Sequence, residues 1–182
     1  MPLHSGCAEC NRSHSTGGEG AEEEVMRKRI VGPASGGVSA SDGAWLDVES
    51  RAEIEVTSED AEHPIESALR LEDRESWRAA GPGAQTLRLR FDNPQRLERI
   101  RLVFEERGAA RTQEFVLRWS GDDGRTYRDI VRQQYTFTPP DTVREVEDYR
   151  VQLEGVTTLE LHLVPNISGG VARASLSQWS VA

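Results

Sequence analysis

Two adjacent carboxylates, Asp122 and Asp123, stand out in the stretch RWSGDDGRTY at residues 118–127. Such a pair could ligate a metal ion, act as a catalytic acid and base, or form a tight turn. A calcium loop of the EF-hand type needs spaced oxygen ligands and a distal Glu, whereas Arg125 and Thr126 follow here. The pair precedes Gly124 and lies between two strand-like segments, so it suits the positive φ angles of a hairpin. The pattern therefore predicts a turn.

A second group of potential ligands lies near the amino terminus, where His4, Cys7, Cys10 and His14 follow one another at short spacing. These side chains can bind zinc, but zinc modules usually separate their two ligand pairs by about a dozen residues so that a small fold can form between them. Adventitious binding, or none, is the favoured interpretation. Both cysteines lie in this group, so the rest of the chain can form no internal disulfide, which suits a reducing compartment.

Known catalytic motifs do not occur beyond residue 44. That part of the sequence has no Cys, no Gly-rich phosphate loop, no His pair at metal-binding spacing and no nucleophile elbow. Its two histidines, His63 and His162, are too few constraints to assemble a catalytic triad. The sequence predicts a non-catalytic protein that uses no cofactor.

The elements that must position any site are predicted by alternation. From Trp45 onward apolar residues recur at every second position, which is typical of half-buried strands. One helical segment, HPIESALRL, has Pro64 in its first turn. Many short strands with one apolar face each predict an all-β, two-sheet antiparallel sandwich. The predicted strands lie at residues 52–58, 85–91, 97–104, 114–120, 126–131, 149–153, 159–163 and 174–181.

Composition divides the 182-residue chain into a tail and one domain. Residues 1–44 are rich in Gly, Ser, Ala and Glu without a helical or strand period, which predicts disorder. Residues 45–182 form the predicted domain. The net charge of -9 disfavours nucleic acid and anionic lipid as partners. Without a long apolar run or a secretory signal, the chain is expected to be soluble and cytoplasmic, with no membrane association.

The order of several short motifs then resembles a known family. The run FVLRWSGDDGRTY follows LERIRLVF and the earlier SWRAAGPGAQTLRLRF, and the closing ASLSQWSV is similar to a last strand that returns beside the first. This order resembles the discoidin, or coagulation factor 5/8 type C, family and the related family 32 carbohydrate-binding modules. The resemblance covers about residues 53–182 and implies a galactose-binding-like jelly roll. The matching positions are Asp73, Trp77, residues 87–91 and 100–104, Ser120, Asp123, Gly124 and Tyr127.

The same resemblance implies where ligands would bind. Members of this family often hold a structural calcium with an early Asp, here Asp73, and a Glu in the last strand, where this chain has Gln178. Their sugar sites lie on loops at one end of the sandwich, where aromatic rings stack on sugars and planar side chains bind hydroxyls. The candidate ligand-binding residues are His63, Trp77, Arg78, Glu106, Arg107 and Arg111. Trp119 and Trp179 are expected to pack in the core.

Two functions follow as expectations. The first is a non-catalytic module that binds a carbohydrate or a glycan-like ligand through loops at one end of the sandwich. The second is a cytoplasmic protein-interaction scaffold of the same fold that binds a protein partner through a sheet face or edge. The missing secretory signal, the disulfide-free domain and the expected disordered tail favour it. The segment around WRAA is also similar to the amino-terminal domain of the single-strand-break repair scaffold. Sugar binding predicts a polar pocket with aromatic side chains at one end, whereas a scaffold predicts an exposed apolar strip on a sheet.

Overall fold

A computed structural model describes residues 44–70 and 75–182 of the chain. The disordered tail predicted for residues 1–44 lies, except for Ala44, outside the described residues, as do its His and Cys group and Asp73. The elements in chain order are β1 (Ala52–Val56), α1 (Glu66–Leu69), β2 (Trp77–Pro82), β3 (Gln85–Glu105), β4 (Arg111–Ser120), β5 (Arg128–Phe137), β6 (Arg144–Val164), β7 (Arg173–Leu176) and β8 (Gln178–Val181).

All strand pairings between the described residues are antiparallel. The larger sheet has the order β1-β3-β6-β4-β5, with β8 also paired to β3, and the smaller sheet consists of β2 and β7. Eight strands in two sheets with one short helix confirm the predicted all-β class.

Strands β3 and β6 are the longest, at 21 residues each. The first part of β3, from Gln85 to Arg90, pairs with β1 and with the end of β6. The second part, from Arg99 to Glu105, pairs with the start of β6, and β8 pairs with Val103 and its neighbours. Register shifts separate the two parts, and such bulges bend a strand without ending its ladder. The sequence predicts two strands in each of these regions, and the structure joins each pair into one bent strand.

Both parts of the bent strands pack on one hydrophobic core. Leu87 and Leu89 come from the first part of β3, and Ile100, Leu102 and Phe104 come from the second. The two parts of β3 therefore contribute side chains to the same core. The largest fully buried side chains include Trp77, Trp179, Phe104, Phe115 and Phe137, so the expectation that Trp179 packs in the core is confirmed.

The Asp-Asp-Gly stretch is the hairpin turn between β4 and β5. Asp123 has a φ of 59° and Gly124 a φ of 80°, and Trp119 pairs with Arg128 across the hairpin. Both carboxylate oxygens of Asp122 accept hydrogen bonds inside the turn, from the Ser120 hydroxyl at 2.6 Å and from the Thr126 backbone and hydroxyl groups at 2.9 and 2.6 Å. The hydrogen bond from Ser120, followed by those from Thr126, holds the pKa of Asp122 well below its ordinary value. The predicted turn is confirmed.

Three local predictions differ from the structure. Residues 77–82 form strand β2 instead of a loop, because Trp77 and Ala79 alternate into the core. The closing segment divides into β7 and β8, and β8 lies beside β3, not beside the first strand. The helix is confined to Glu66–Leu69, after a turn in which Ile65 N–H donates to the Glu59 carboxylate at 2.7 Å.

A candidate ligand-binding cleft beside the β3–β4 loop

A polar cleft of about 390 Å³ lies between the β3–β4 loop and the pair of strands β2 and β7. The alternation of both strands decides which side chains reach it. In β2, Trp77 and Ala79 are buried, so Arg78 projects outward; in β7, Ala174 and Leu176 are buried, so Ser175 projects outward. Arg78 and Ser175 are direct partners in the ladder. The cleft is lined by Ser76, Arg78, Glu105, Glu106, Arg107, Gly108, Arg173 and Ser175.

Glu106 organises the β3–β4 loop. One carboxylate oxygen accepts the backbone N–H groups of Gly108 and Ala109 at 2.6 and 3.2 Å, and the other accepts Arg111 Nε at 2.7 Å. Burial raises the pKa of this carboxyl, but the Gly108 N–H and the Arg111 guanidinium outweigh burial, so the pKa lies below its ordinary value. Glu106 therefore remains ionised and holds the wall of the cleft in one conformation.

Arg111 supports the cleft from inside the protein. Its side chain is only 2% exposed, pairs with Glu106, donates a hydrogen bond to the Pro165 carbonyl and lies over the Phe137 ring at 5.6 Å. Arg111 was predicted as a ligand contact, but in this structure its guanidinium is covered and is already used by protein acceptors. It acts by fixing Glu106 in place.

Three arginines give the cleft its exposed charge. Arg107 pairs with Glu105 at 3.1 Å, and Arg173 pairs with Asp60 at 3.3 Å. Arg78 is exposed and has no ion-pair partner among the described residues. Guanidinium groups on three different segments thus border one opening, which can bind a ligand rich in oxygen acceptors.

Trp77 and His63 do not line the cleft. The side chain of Trp77, the first residue of β2, is fully buried in the core, so its ring offers no face to a sugar. Its predicted role in binding is corrected to core packing. His63 lies next to the cleft through its backbone, because its carbonyl accepts the Arg78 N–H at 3.1 Å while its own N–H donates to Asp60 at 2.8 Å. Its contribution is to position the start of β2.

Sequence reasoning thus found part of the cleft and missed part. Arg78, Glu106 and Arg107 come together as members of one opening, whereas Arg173 and Ser175 were not predicted. The missed residues belong to a short strand far along the chain, and only the β2–β7 pairing brings them to Arg78. The outward alternation of residues 173–176 is the single local signal that they share.

A second polar cluster lies on the outer face of the larger sheet. Glu160 is fully buried and accepts Arg88 Nε at 2.6 Å and Arg118 Nε at 2.7 Å, while Arg118 lies over the Tyr127 ring at 4.4 Å. Burial raises the pKa of Glu160, but the two guanidinium groups lower it by more than burial raises it. The pKa is therefore below its ordinary value. Both oxygens of the carboxylate already accept hydrogen bonds from the protein, so this cluster stabilises the sheet and leaves no acceptor for a ligand.

Trp119, at the opposite end of β4 from Arg111, borders another cleft, of about 410 Å³. Arg128 lies over its ring at 5.4 Å, and the ring also packs against the core, so the expected core position is only partly observed. Trp119 is the aromatic side chain that lines this second cleft, and Arg128 lies over its ring.

Across residues 44–70 and 75–182, no group of three or more His, Cys, Asp or Glu side chains could hold a metal ion. Gln178 donates from its amide to the Ser180 hydroxyl at 2.9 Å. The calcium implied for Asp73 stays a prediction, because Asp73 itself is not described. Among the described residues no helix is long and apolar enough to cross a membrane.

Comparison with known proteins identifies the fold. No protein-family model and no curated protein sequence matches the chain. Solved structures do match, including the family 32 carbohydrate-binding module of Clostridium perfringens NanJ in complex with galactose, at 12% identity and a TM-score of 0.55, over 73% of this chain and 94% of that one.

Two further modules have the same TM-score of 0.55. One is the module CBM32-5 of the Clostridium perfringens protein GH89, in complex with GalNAc-β-1,3-galactose, which is 15% identical over 76% of this chain and 99% of that one. The other is the family 32 module of AlyQ in complex with 4,5-unsaturated mannuronic acid. It is 14% identical, over 76% of this chain and 98% of that one. At these identities the similarity shows a shared fold.

Proposed function

We propose that this chain is a non-catalytic carbohydrate-binding module whose ligand occupies the cleft beside the β3–β4 loop. The observation that carries the proposal is the convergence of Arg78, Arg107 and Arg173 on one opening of a size suited to a small ligand. The fold supports it, since the similar structures include modules in complex with galactose and with an unsaturated mannuronic acid. The discoidin-like order of motifs in the sequence supports the same assignment.

The cleft would bind a sugar through polar contacts. Guanidinium groups donate several hydrogen bonds in a fixed fork, and the Ser76 and Ser175 hydroxyls add groups that both donate and accept. The aromatic side chains expected of a sugar site are not among the residues that line this cleft. Stacking therefore contributes nothing in this arrangement, and affinity must come from hydrogen bonds. Affinity then depends strongly on the arginines.

The scaffold function remains the alternative. It predicts an apolar strip on a sheet, whereas the described outer face of β1, β3, β6 and β4 carries the ion pairs of Glu55, Arg88, Arg90, Arg118 and Glu160. Within the described residues the large hydrophobic side chains with high exposure are Val146, Ile167 and Val171. No observation favours the scaffold over the sugar-binding module.

Binding of the full chain to a panel of mono- and oligosaccharides by isothermal titration calorimetry tests the proposal. For a sugar that binds, Arg78→Ala should weaken binding by about 10- to 100-fold, because a hydrogen bond from a charged group contributes about 1.5–3 kcal/mol. Arg132→Ala is the matched control, since Arg132 is an exposed strand arginine on β5, away from the cleft. If no sugar in the panel shows saturable binding, the proposal is wrong.

A further inference from the structure

The carboxylates of the cleft are already neutralised by the protein. Glu106 is used by Gly108, Ala109 and Arg111, as described above. Glu105 has two cationic neighbours, Arg107 at 3.1 Å and Arg144 at 3.4 Å. Neither acid is therefore available as an unopposed negative charge that would attract a cation or repel an anion.

The cations of the cleft exceed these acids. Three arginines and two glutamates line the opening, and Arg111 and Arg144 stand behind the glutamates. Arg173 forms an ion pair with Asp60, a residue that does not line the cleft. This local excess of positive charge occurs in a chain whose net charge is -9, so it is not a consequence of overall composition. Charges beyond about 8 Å are largely screened at physiological salt. The electrostatic interaction with a bound ligand therefore depends mainly on this local excess.

Arg78 is the group that this excess leaves without a counterion among the described residues. Its backbone is fixed on both sides, because Arg78 N–H donates to the His63 carbonyl at 3.1 Å and Arg78 C=O accepts from Asp60 N–H at 2.9 Å. The flanking Trp77 and Ala79 are fully buried, so the strand that carries Arg78 is anchored. The backbone that carries Arg78 is thus fixed beside the cleft, and its exposed side chain extends to the opening.

We propose that the ligand of this cleft is an acidic sugar whose carboxylate pairs with Arg78. The inference rests on the proposed sugar-binding function and adds the charge of the ligand to it. A carboxylate matches the planar guanidinium with two parallel hydrogen bonds, which a single hydroxyl cannot do. Arg107 and Arg173 each already form an ion pair with a carboxylate of the protein. They then bind ring hydroxyls together with Ser76 and Ser175.

The test compares three probes, namely an acidic sugar, its neutral ester and a sulfated sugar that carries a different kind of anion. They are tri-galacturonic acid, its neutral methyl ester, and a galactose trisaccharide carrying sulfate, each titrated into the full chain at 0.15 M salt. The acid should bind at least about tenfold more tightly than the ester, since one charge-assisted pair contributes about 1.5–3 kcal/mol. In Arg78→Ala this preference should fall to near onefold, whereas Arg78→Lys should keep part of it because the charge remains.

Arg132→Ala serves again as the control and should keep the full preference, and the melting temperature of each variant shows that it folds. Equal binding of acid and ester would overturn this inference while leaving the sugar-binding function intact. An undiminished preference in Arg78→Ala would overturn the assignment to Arg78, and tighter binding of the sulfated probe would overturn the choice of carboxylate. Failure of all three probes and of the neutral panel would remove the proposed function itself.

Discussion

At the residue scale, the arginines of this protein have two distinct roles. Arg88, Arg111 and Arg118 hold buried or half-buried carboxylates, whereas Arg78 and Arg107 reach an open cleft. The sequence shows all of them as similar outward-facing residues. Arg88 and Arg118 meet Glu160 because the strand register places it opposite both of them, whereas Arg111 meets Glu106 of the β3–β4 loop.

Glu160 provides the first stability prediction. Glu160→Gln should lower the free energy of unfolding at pH 7 by about 2–4 kcal/mol, because two guanidinium groups lose their buried anion. The folded pKa of Glu160 lies below its ordinary 4.5, so this contribution is present above pH 4.5 and is lost as the pH falls through the folded pKa. Urea unfolding at several pH values measures it.

The control for this experiment is Glu53→Gln, an exposed carboxylate on neighbouring β1. Its effect should stay within about 0.5 kcal/mol at every pH, as for most surface changes. A difference between wild type and Glu160→Gln that did not shrink on acidification would show that the charge of Glu160 contributes nothing.

At the element scale, turns and bulges decide where strands end and where they only bend. The Asp-Asp-Gly turn ends β4, because its positive φ angles reverse the chain and Asp122 satisfies the local donors. The regions near Gln95 and Gly155 contain turn-type residues too, yet the ladder continues through them with shifted register. Local composition does not distinguish these cases, since a bend is stabilised by the core that both halves cover.

The hairpin turn gives the second stability prediction. Gly124→Ala should destabilise the protein by about 1–2 kcal/mol, because φ is 80° and the new Cβ would lie 2.9 Å from the Tyr127 hydroxyl. Gly81→Ala is the matched control: nothing lies within 4 Å of its new Cβ, and it should change stability by less than about 0.5 kcal/mol. Chemical denaturation of both variants checks this, and equal effects would contradict the assignment of strain to the turn.

At the scale of the whole described domain, the bent strands β3 and β6 connect two parts of the larger sheet, and both parts pack on one core. We therefore expect one cooperative unfolding transition, with far-UV circular dichroism and tryptophan fluorescence showing the same midpoint in urea. Leu102→Ala, in the centre of that core, should lower both midpoints together by an amount equivalent to about 2–5 kcal/mol. Separate midpoints for the two probes would show that the two parts unfold independently.

The sequence alone determined the class of the fold and the hairpin turn. Both follow from local physics, because alternation sorts side chains between core and solvent and positive φ selects Asp and Gly. Arg78, Glu106 and Arg107 were named through the family resemblance, and Arg78 was assigned to a loop that the structure shows as strand β2.

The tertiary structure decided the rest. It buried Trp77 and Arg111, bent β3 and β6 instead of dividing them, and brought Arg173 and Ser175 to Arg78. Each of these depends on which strand pairs with which over long sequence distances, and on how much of a side chain the partner strand then covers. Alternation along one strand carries no information about its neighbour, so the composition and charge of the cleft arise only when β7 pairs with β2.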